Sequence, residues 1–317
     1  MRLDRIFALV LIVLCLVATL GNWLGDSTSS TRSSDKDAVN PQANVALLEI
    51  YGVISDEPTG TSLIASNNSN SNALIKAIRK VREDDMKAIL LHINSPGGTA
   101  AASQAVYEEL MRTREETDIK IVASLGDIAA SGGYYVASAA DHIMANPATL
   151  TGSIGVIVST QNISALLDKI GVKIGNIKSG RYKDILSPYD DLSEGERGIV
   201  EEIVAQTYQQ FLDAIVASRE ITLEELKPLA DGRIFTGEQA KQVNLVDSLG
   251  NSYDALQKVA ELAEITGEPK VRNYTSPDWR DSLGIFLSSS WQQVPNIANQ
   301  LIRQNIQQLT RVEIDYL

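Results

Sequence analysis

The chain has 317 residues, 44% hydrophobic and 21% charged, which is enough apolar material for one large domain or two small ones. Its formal net charge of −12 repels polyanions, which argues against nucleic acid as a partner and against a protein held flat on acidic headgroups. A single cysteine, Cys15, excludes an intramolecular disulfide and a cysteine zinc cluster; with only His92 and His142 as histidines, neither a metal nor a cofactor is expected.

Arg2 and Arg5 precede an uncharged run from Ile6 to Gly25, about the length of a bilayer-crossing helix, and Asp26 follows it. The flanking charges place the N-terminus in the cytoplasm and the rest of the chain outside it. A cleaved signal peptide is the alternative. However, Ala18-Thr19-Leu20 ends in a large residue where a cleavage site needs a small one, and Leu14 is equally unsuited to a lipoprotein signal at Cys15. From Asp26 to Asn44 the sequence is rich in Ser and Thr with little to bury, a flexible tether.

Beyond the tether, apolar runs and helical stripes alternate. Strands are expected at Val45–Tyr51, Ala88–Ile93 and Lys120–Ser124, and helices at Ala73–Val81 and Ala100–Arg114. That order implies a mainly parallel sheet covered by helices. The longest helix is expected from Ser193 to Arg219, opened by a Ser193/Glu196 capping box, with Ile199, Val200, Ile203, Val204, Tyr208, Phe211 and Leu212 on one face. Shorter elements follow at 223–229, 237–243 and 253–262. The expected division is a cytoplasmic stub and anchor (1–25), a tether (26–44), one α/β domain (45–270) and a tail (271–317) carrying one amphipathic helix.

Two glycine-bearing turns stand at strand-to-helix junctions. In Asn94-Ser95-Pro96-Gly97-Gly98, backbone N–H groups can converge on an anion. In Ala130-Ser131-Gly132-Gly133, a serine sits where a helix N-terminus leaves unpaired donors and partial positive charge. Ser131 there could attack a carbonyl while N–H groups of Gly132 and of Gly97 or Gly98 hold the oxyanion. Both segments also read as plain tight turns, with Ser131 an N-cap. A serine nucleophile needs a base, and neither His92, inside an apolar strand, nor His142, at a strand start, has a helpful context. A lysine is the other choice, provided that desolvation lowers its pKa by several units; the residues alone do not choose among the lysines.

The segments Asn94–Gly98, Ala130–Tyr135, Thr151-Gly152-Ser153-Ile154-Gly155-Val156 and Ser179-Gly180-Arg181-Tyr182-Lys183-Asp184 occur in an order that resembles the signal peptide peptidase A family, in its short single-domain bacterial form. Ala230–Gly237 and Asn244–Asp247 extend the resemblance, which covers about residues 45–262. It implies a crotonase-like (Clp protease-like) α/β fold and a Ser–Lys dyad. By motif, Ser131 is the nucleophile, Lys183 the general base and Ser153 the group that orients Lys183. Gly98 and Gly132 supply oxyanion N–H groups, and Gly97 shapes the turn. The resemblance further implies remnant signal peptides and other unfolded apolar peptides as substrates, membrane attachment through the N-terminal helix, and a homo-oligomeric ring. In such a ring, Lys183 of one protomer is a candidate base for Ser131 of the next. Mild departures are His92, where a basic residue is common, and Thr99, where another glycine is frequent. The same fold also hosts acyl-CoA enzymes, which an extracytoplasmic location argues against, and a non-catalytic peptide-binding scaffold is the other rival.

Overall fold

The computed structural model describes residues 43–56 and 69–275. The expected anchor, most of the tether and nearly all of the tail lie outside the described residues, among which no helix is long and apolar enough to cross a membrane.

Three long strands form the centre: β1 (Val45–Ser55), β3 (Ala88–Gly98) and β4 (Lys120–Ala130). Together with the short strands β2 (Ser69–Asn70), β5 (His142–Ala145) and β8 (Ser248–Leu249), they give the sheet order β2-β1-β3-β4-β5-β8, parallel throughout. β6 (Leu150–Gly152) pairs parallel with β4, and β7 (Ile234–Thr236) adds to β6 in the antiparallel sense. β9 (Val271–Asn273) pairs parallel with β1 and so draws residues just past 270 into the sheet. Crossovers between parallel strands need helices, and these are α1 (Ser71–Glu83), between β1 and β3, and α2 (Ala100–Glu116), between β3 and β4.

Both faces of the sheet are covered, so the central strands read as continuous apolar runs and not as alternations. On one face Leu48, Ile50, Ile89, Leu91, Ile93, Ile121 and Leu125 pack with Leu74 and Ile78 of α1 and Val106 and Leu110 of α2. Each such side chain, when fully buried, contributes about 1.5–3 kcal/mol. On the other face Val45, Leu90, Val122 and Met144 meet Ala255 and Val259 of a helix spanning Ser252–Leu262. His92 stays in the sheet, its ring 5.8 Å from that of Tyr51, and burial lowers its pKa.

The strands run further than their apolar stretches. β3 continues through Asn94-Ser95-Pro96-Gly97-Gly98, and β4 through Leu125–Ala130, because backbone pairing persists where side-chain periodicity has ended. This extension carries both glycine turns to one end of the sheet, where they open α2 and the helix α3 (Gly132–Ser138). The long helix runs Glu194–Ser218 behind the expected Ser193/Glu196 capping box. Only its C-terminal half is buried, at Phe211, Leu212, Ala214 and Ile215. Ile203 is exposed, so the stripe at 199–208 is not the core face that its spacing suggests. Between Ser153 and Ser193 the chain forms an outlying arm with one short helix, Ser164–Ile170, and presents Ile157, Leu166, Ile170 and Ile174 to solvent.

Candidate active site

Ser131 follows directly on β4 with φ 51° and ψ −121°, a conformation that side-chain-bearing residues rarely adopt. Its surroundings over-determine that geometry. The Ser131 N–H donates to Gly152 O at 2.8 Å, and Tyr135 N–H donates to Ser131 O at 2.9 Å. Although Ser131 occupies the N-cap position of α3, its hydroxyl caps no helical N–H. The side chain is thus held in a strained backbone without serving the helix as a cap.

The glycine turn of β3 lies against this serine. Gly97 has φ +114°, and a Cβ there would come within 2.8 Å of Gly132 N and 2.9 Å of the Ser131 Cβ. A Cβ on Gly98 would collide with the Ile54 carbonyl oxygen. Ile54 O already accepts the Thr99 N–H at 2.9 Å, so the alternation of a parallel ladder turns the Gly98 N–H the other way, toward α3. Gly132 is the first residue of α3, and its N–H is one of the donors that a helix start leaves without an intrahelical acceptor. The position of a Gly132 Cβ would lie 3.1 Å from Gly98 N, so the two peptide groups are neighbours. The Gly97 N–H, by contrast, is taken by Ser95 Oγ at 3.1 Å. Among the three glycines, Gly97 contributes conformation, while Gly98 and Gly132 carry the available donors. Gly98→Ala is expected to lower stability by about 3 kcal/mol or more, since backbone on β1 must give way. A denaturant midpoint that falls at unchanged m checks this, and hydrolysis should be lost with it.

Pairing of Ala130 with Gly152 sets Ser153 beside Ser131. Ser153 also has positive φ, 51°, and its N–H donates to Arg233 O at 2.8 Å. Both serines open onto a cavity of about 760 Å³, whose walls include Val156, Val200, Val204, Tyr208 and Ala230. Tyr208 is fixed by its hydroxyl, which donates to Ala230 O at 2.7 Å. The charged rim comprises Arg197 and Glu201, 4.0 Å apart, and Asp231, whose pKa is held down to about 2 by hydrogen bonds from Arg233. The unburied half of the long helix is therefore a cavity wall, which explains the apolar stripe there.

Lys183 is not in this cavity. It is exposed on the turn Arg181–Leu186 of the outlying arm, where its N–H donates to Gly180 O at 3.2 Å. The structure brings together Ser131, Ser153, Gly97, Gly98 and Gly132 within one chain, and leaves Lys183 apart from them. Neither histidine lines the cavity: His142 Nε2 lies 2.7 Å from Ser248 Oγ between β5 and β8, with its pKa lowered by burial. Residue patterns gave no sign of Tyr208 as a wall residue, nor of Ser103. Ser103 is buried against Gly132, and its Oγ has no partner among the described residues.

Comparison with known proteins bears on the fold and the family. Peptidase family S49 matches residues 113–266, and the Clp protease family matches residues 49–151, in keeping with the parallel α/β sheet. A Synechocystis sp. protein described as a protease is 42% identical over 247 residues, 73% of this chain and 88% of that protein. An Enterococcus faecium protein described as a signal peptide peptidase is 37% identical over 249 residues, 78% of this chain and 70% of that protein. A chloroplastic serine protease of Arabidopsis thaliana is 36% identical over 214 residues, 67% of this chain but 30% of that protein.

Proposed function

This chain belongs to peptidase family S49, the signal peptide peptidase A family, and is a serine peptidase; from that premise we propose that it is a membrane-anchored endopeptidase in which Ser131 is the nucleophile and Lys183 the general base. In this reading Ser131 Oγ attacks the scissile carbonyl carbon and its proton passes to the neutral Lys183 amine. The oxyanion is held by the N–H groups of Gly98 and Gly132. The lysine then returns the proton to the leaving amine, and water, activated by the same lysine, releases the acyl group. Ser153, at the cavity beside Ser131, orients the lysine by a hydrogen bond.

The observation that carries the reading is the strained Ser131, its hydroxyl free of any capping bond, beside two backbone donors at the mouth of an apolar cavity. Apolar walls favour small or hydrophobic side chains near the scissile bond, which fits remnant signal peptides and other unfolded apolar segments. The exposed position of Lys183 is accounted for by assembly: in a ring, the arm of one protomer delivers its lysine to the Ser131 of the next. The exposed Ile157, Leu166, Ile170 and Ile174 of that arm supply apolar surface for such a contact. The uncharged run 6–25 provides the anchor, with the catalytic domain outside the cytoplasm.

The full-length chain, purified in detergent, is expected to hydrolyse a short apolar fluorogenic peptide at a kcat/KM at least about tenfold above that for an equally long charged peptide, since lining apolar walls with a charge is costly. A folded, assembled protein that cleaves neither peptide contradicts the reading, as would a preference for the charged one.

A further inference from the structure

β3 loses register with both neighbours just before the glycine turn. Between the pairs Tyr51–Asn94 and Val53–Gly97, β3 spends three residues against two of β1. Between Ile93–Leu125 and Ser95–Ala129, β4 spends four residues against two of β3. Bulges of this kind leave backbone groups without ladder partners, and those groups must be satisfied in some other way.

Two consecutive side chains of β3 take them up, one on each side. Asn94 Oδ1 accepts the Ile128 N–H at 3.2 Å, and Asn94 Nδ2 donates to Asp127 Oδ2 at 3.4 Å, so its amide fills the bulge of β4. The Ile128 N–H requires an acceptor, which sets the orientation of the amide. Gly126 leaves the room: a Cβ there would stand 3.2 Å from the Asn94 Cβ. Ser95, fully buried, donates from Oγ to Gly52 O at 2.6 Å across the β1 junction and accepts the Gly97 N–H at 3.1 Å. Its own backbone also abuts α3, since a Cβ on Gly133 would lie 2.9 Å from Ser95 O.

We infer that Asn94 and Ser95 are positioning residues that clamp β3 at its irregular junctions with both neighbours and thereby set the distance between the Gly98 N–H and Ser131. The inference rests on the assignment of Ser131 and Gly98 to the reaction. The length scale makes the requirement strict. One residue of slip moves a strand by about 3.3 Å, whereas an oxyanion donor works only within about 2.7–3.1 Å of the oxygen. Ile128 stands three positions before Ser131, and Gly97 one before Gly98, so the two side chains hold both strands within a few residues of the reacting atoms. Neither Asn94 nor Ser95 lines the cavity, so each acts through the backbone of the groups that do.

Asn94 permits a test that separates positioning from folding. Asn94→Asp keeps the acceptor for Ile128 but sets a carboxylate against Asp127. Asp127→Asn alone keeps a hydrogen-bonding partner for Asn94, and the combination Asn94→Asp with Asp127→Asn restores the contact with donor and acceptor exchanged. With full-length protein in detergent, kcat is counted per Ser131 labelled by a fluorophosphonate, which removes any unfolded fraction. The single Asn94→Asp variant is expected to lose about tenfold or more in kcat with KM within about twofold. Its affinity for a peptide aldehyde, which forms a tetrahedral adduct, should fall in parallel. Asp127→Asn should stay near wild type, and the double variant should recover to within about threefold of it. The inference is overturned if kcat per labelled serine is unchanged in Asn94→Asp, if KM rises in step with the loss of kcat, or if the double variant is as slow as the single one. Absence of fluorophosphonate labelling at Ser131 in the wild type overturns the parent assignment, and this inference with it.

Discussion

Ser131→Ala is expected to abolish peptide hydrolysis, by about 10⁴-fold or more, and to leave the fold intact. Loss of the nucleophile removes the covalent route altogether, and what activity remains is the background that oxyanion donors and substrate binding provide. Stability should hardly change, because the Ser131 hydroxyl caps no helix and its backbone bonds to Gly152 and Tyr135 do not involve the side chain. Ser131→Gly carries the expectation further. At φ 51° and ψ −121° a side chain is strained by about 1–3 kcal/mol, while glycine loses about 0.5–1 kcal/mol through its freer unfolded chain. The glycine variant should therefore be equally inactive yet more stable by about 1 kcal/mol, read as a higher denaturant midpoint. A glycine variant less stable than wild type would show that the serine conformation is not strained.

Lys183→Ala is expected to be as inactive as Ser131→Ala when each is prepared alone. Lys183→Arg should not rescue it, because a guanidinium does not give up its proton in the working range. The location of Lys183 on the exposed arm, outside the cavity of its own chain, makes a further outcome specific. Chains carrying Ser131→Ala and chains carrying Lys183→Ala, dissociated, mixed and reassembled, should regain part of the wild-type rate, because some junctions then pair an intact serine with an intact lysine. Mixtures that stay silent although they contain hybrid assemblies would place the base within the same chain as the nucleophile, or elsewhere altogether.

Much of the sheet is legible in the sequence, since buried parallel strands must be apolar on both faces: Val45–Tyr51, Ala88–Ile93 and Lys120–Ser124 stand out for that reason. The extensions to Gly98 and Ala130 do not, because Asn94, Ser95 and the glycines continue the ladder through backbone alone. The capping box at Ser193 marks the start of the long helix by its local chemistry. Which part of that helix is buried depends on what packs against it. A cavity wall and a core face require the same spacing, so Val200, Val204 and Tyr208 look no different from Phe211 and Leu212. The arm between Ile154 and Ser193 is obscure for the opposite reason, as Ile157, Leu166, Ile170 and Ile174 are exposed and not gathered into the core of this chain.

At the site, a positive φ at Gly97 and approaches too close for a Cβ at Gly98 and Gly132 leave their mark on composition, and this makes the three glycines conspicuous. The roles of Asn94 and Ser95 leave no such mark. They answer to strand register, which arises only when three segments distant in sequence meet. The lysine is obscure in the same way, and its assignment to Lys183 comes from the family motif and not from any feature of its surroundings in one chain.

The most direct measurement is the site of covalent modification. Full-length protein would be treated with a serine-directed fluorophosphonate and the modified peptide identified by mass spectrometry, beside Ser131→Ala. A single adduct on Ser131, formed in proportion to the loss of hydrolysis and missing from the variant, is the expected result. Inactivation accompanied by an adduct on another residue, or full hydrolysis retained by a protein whose Ser131 is modified, would contradict the assignment of Ser131 as the nucleophile.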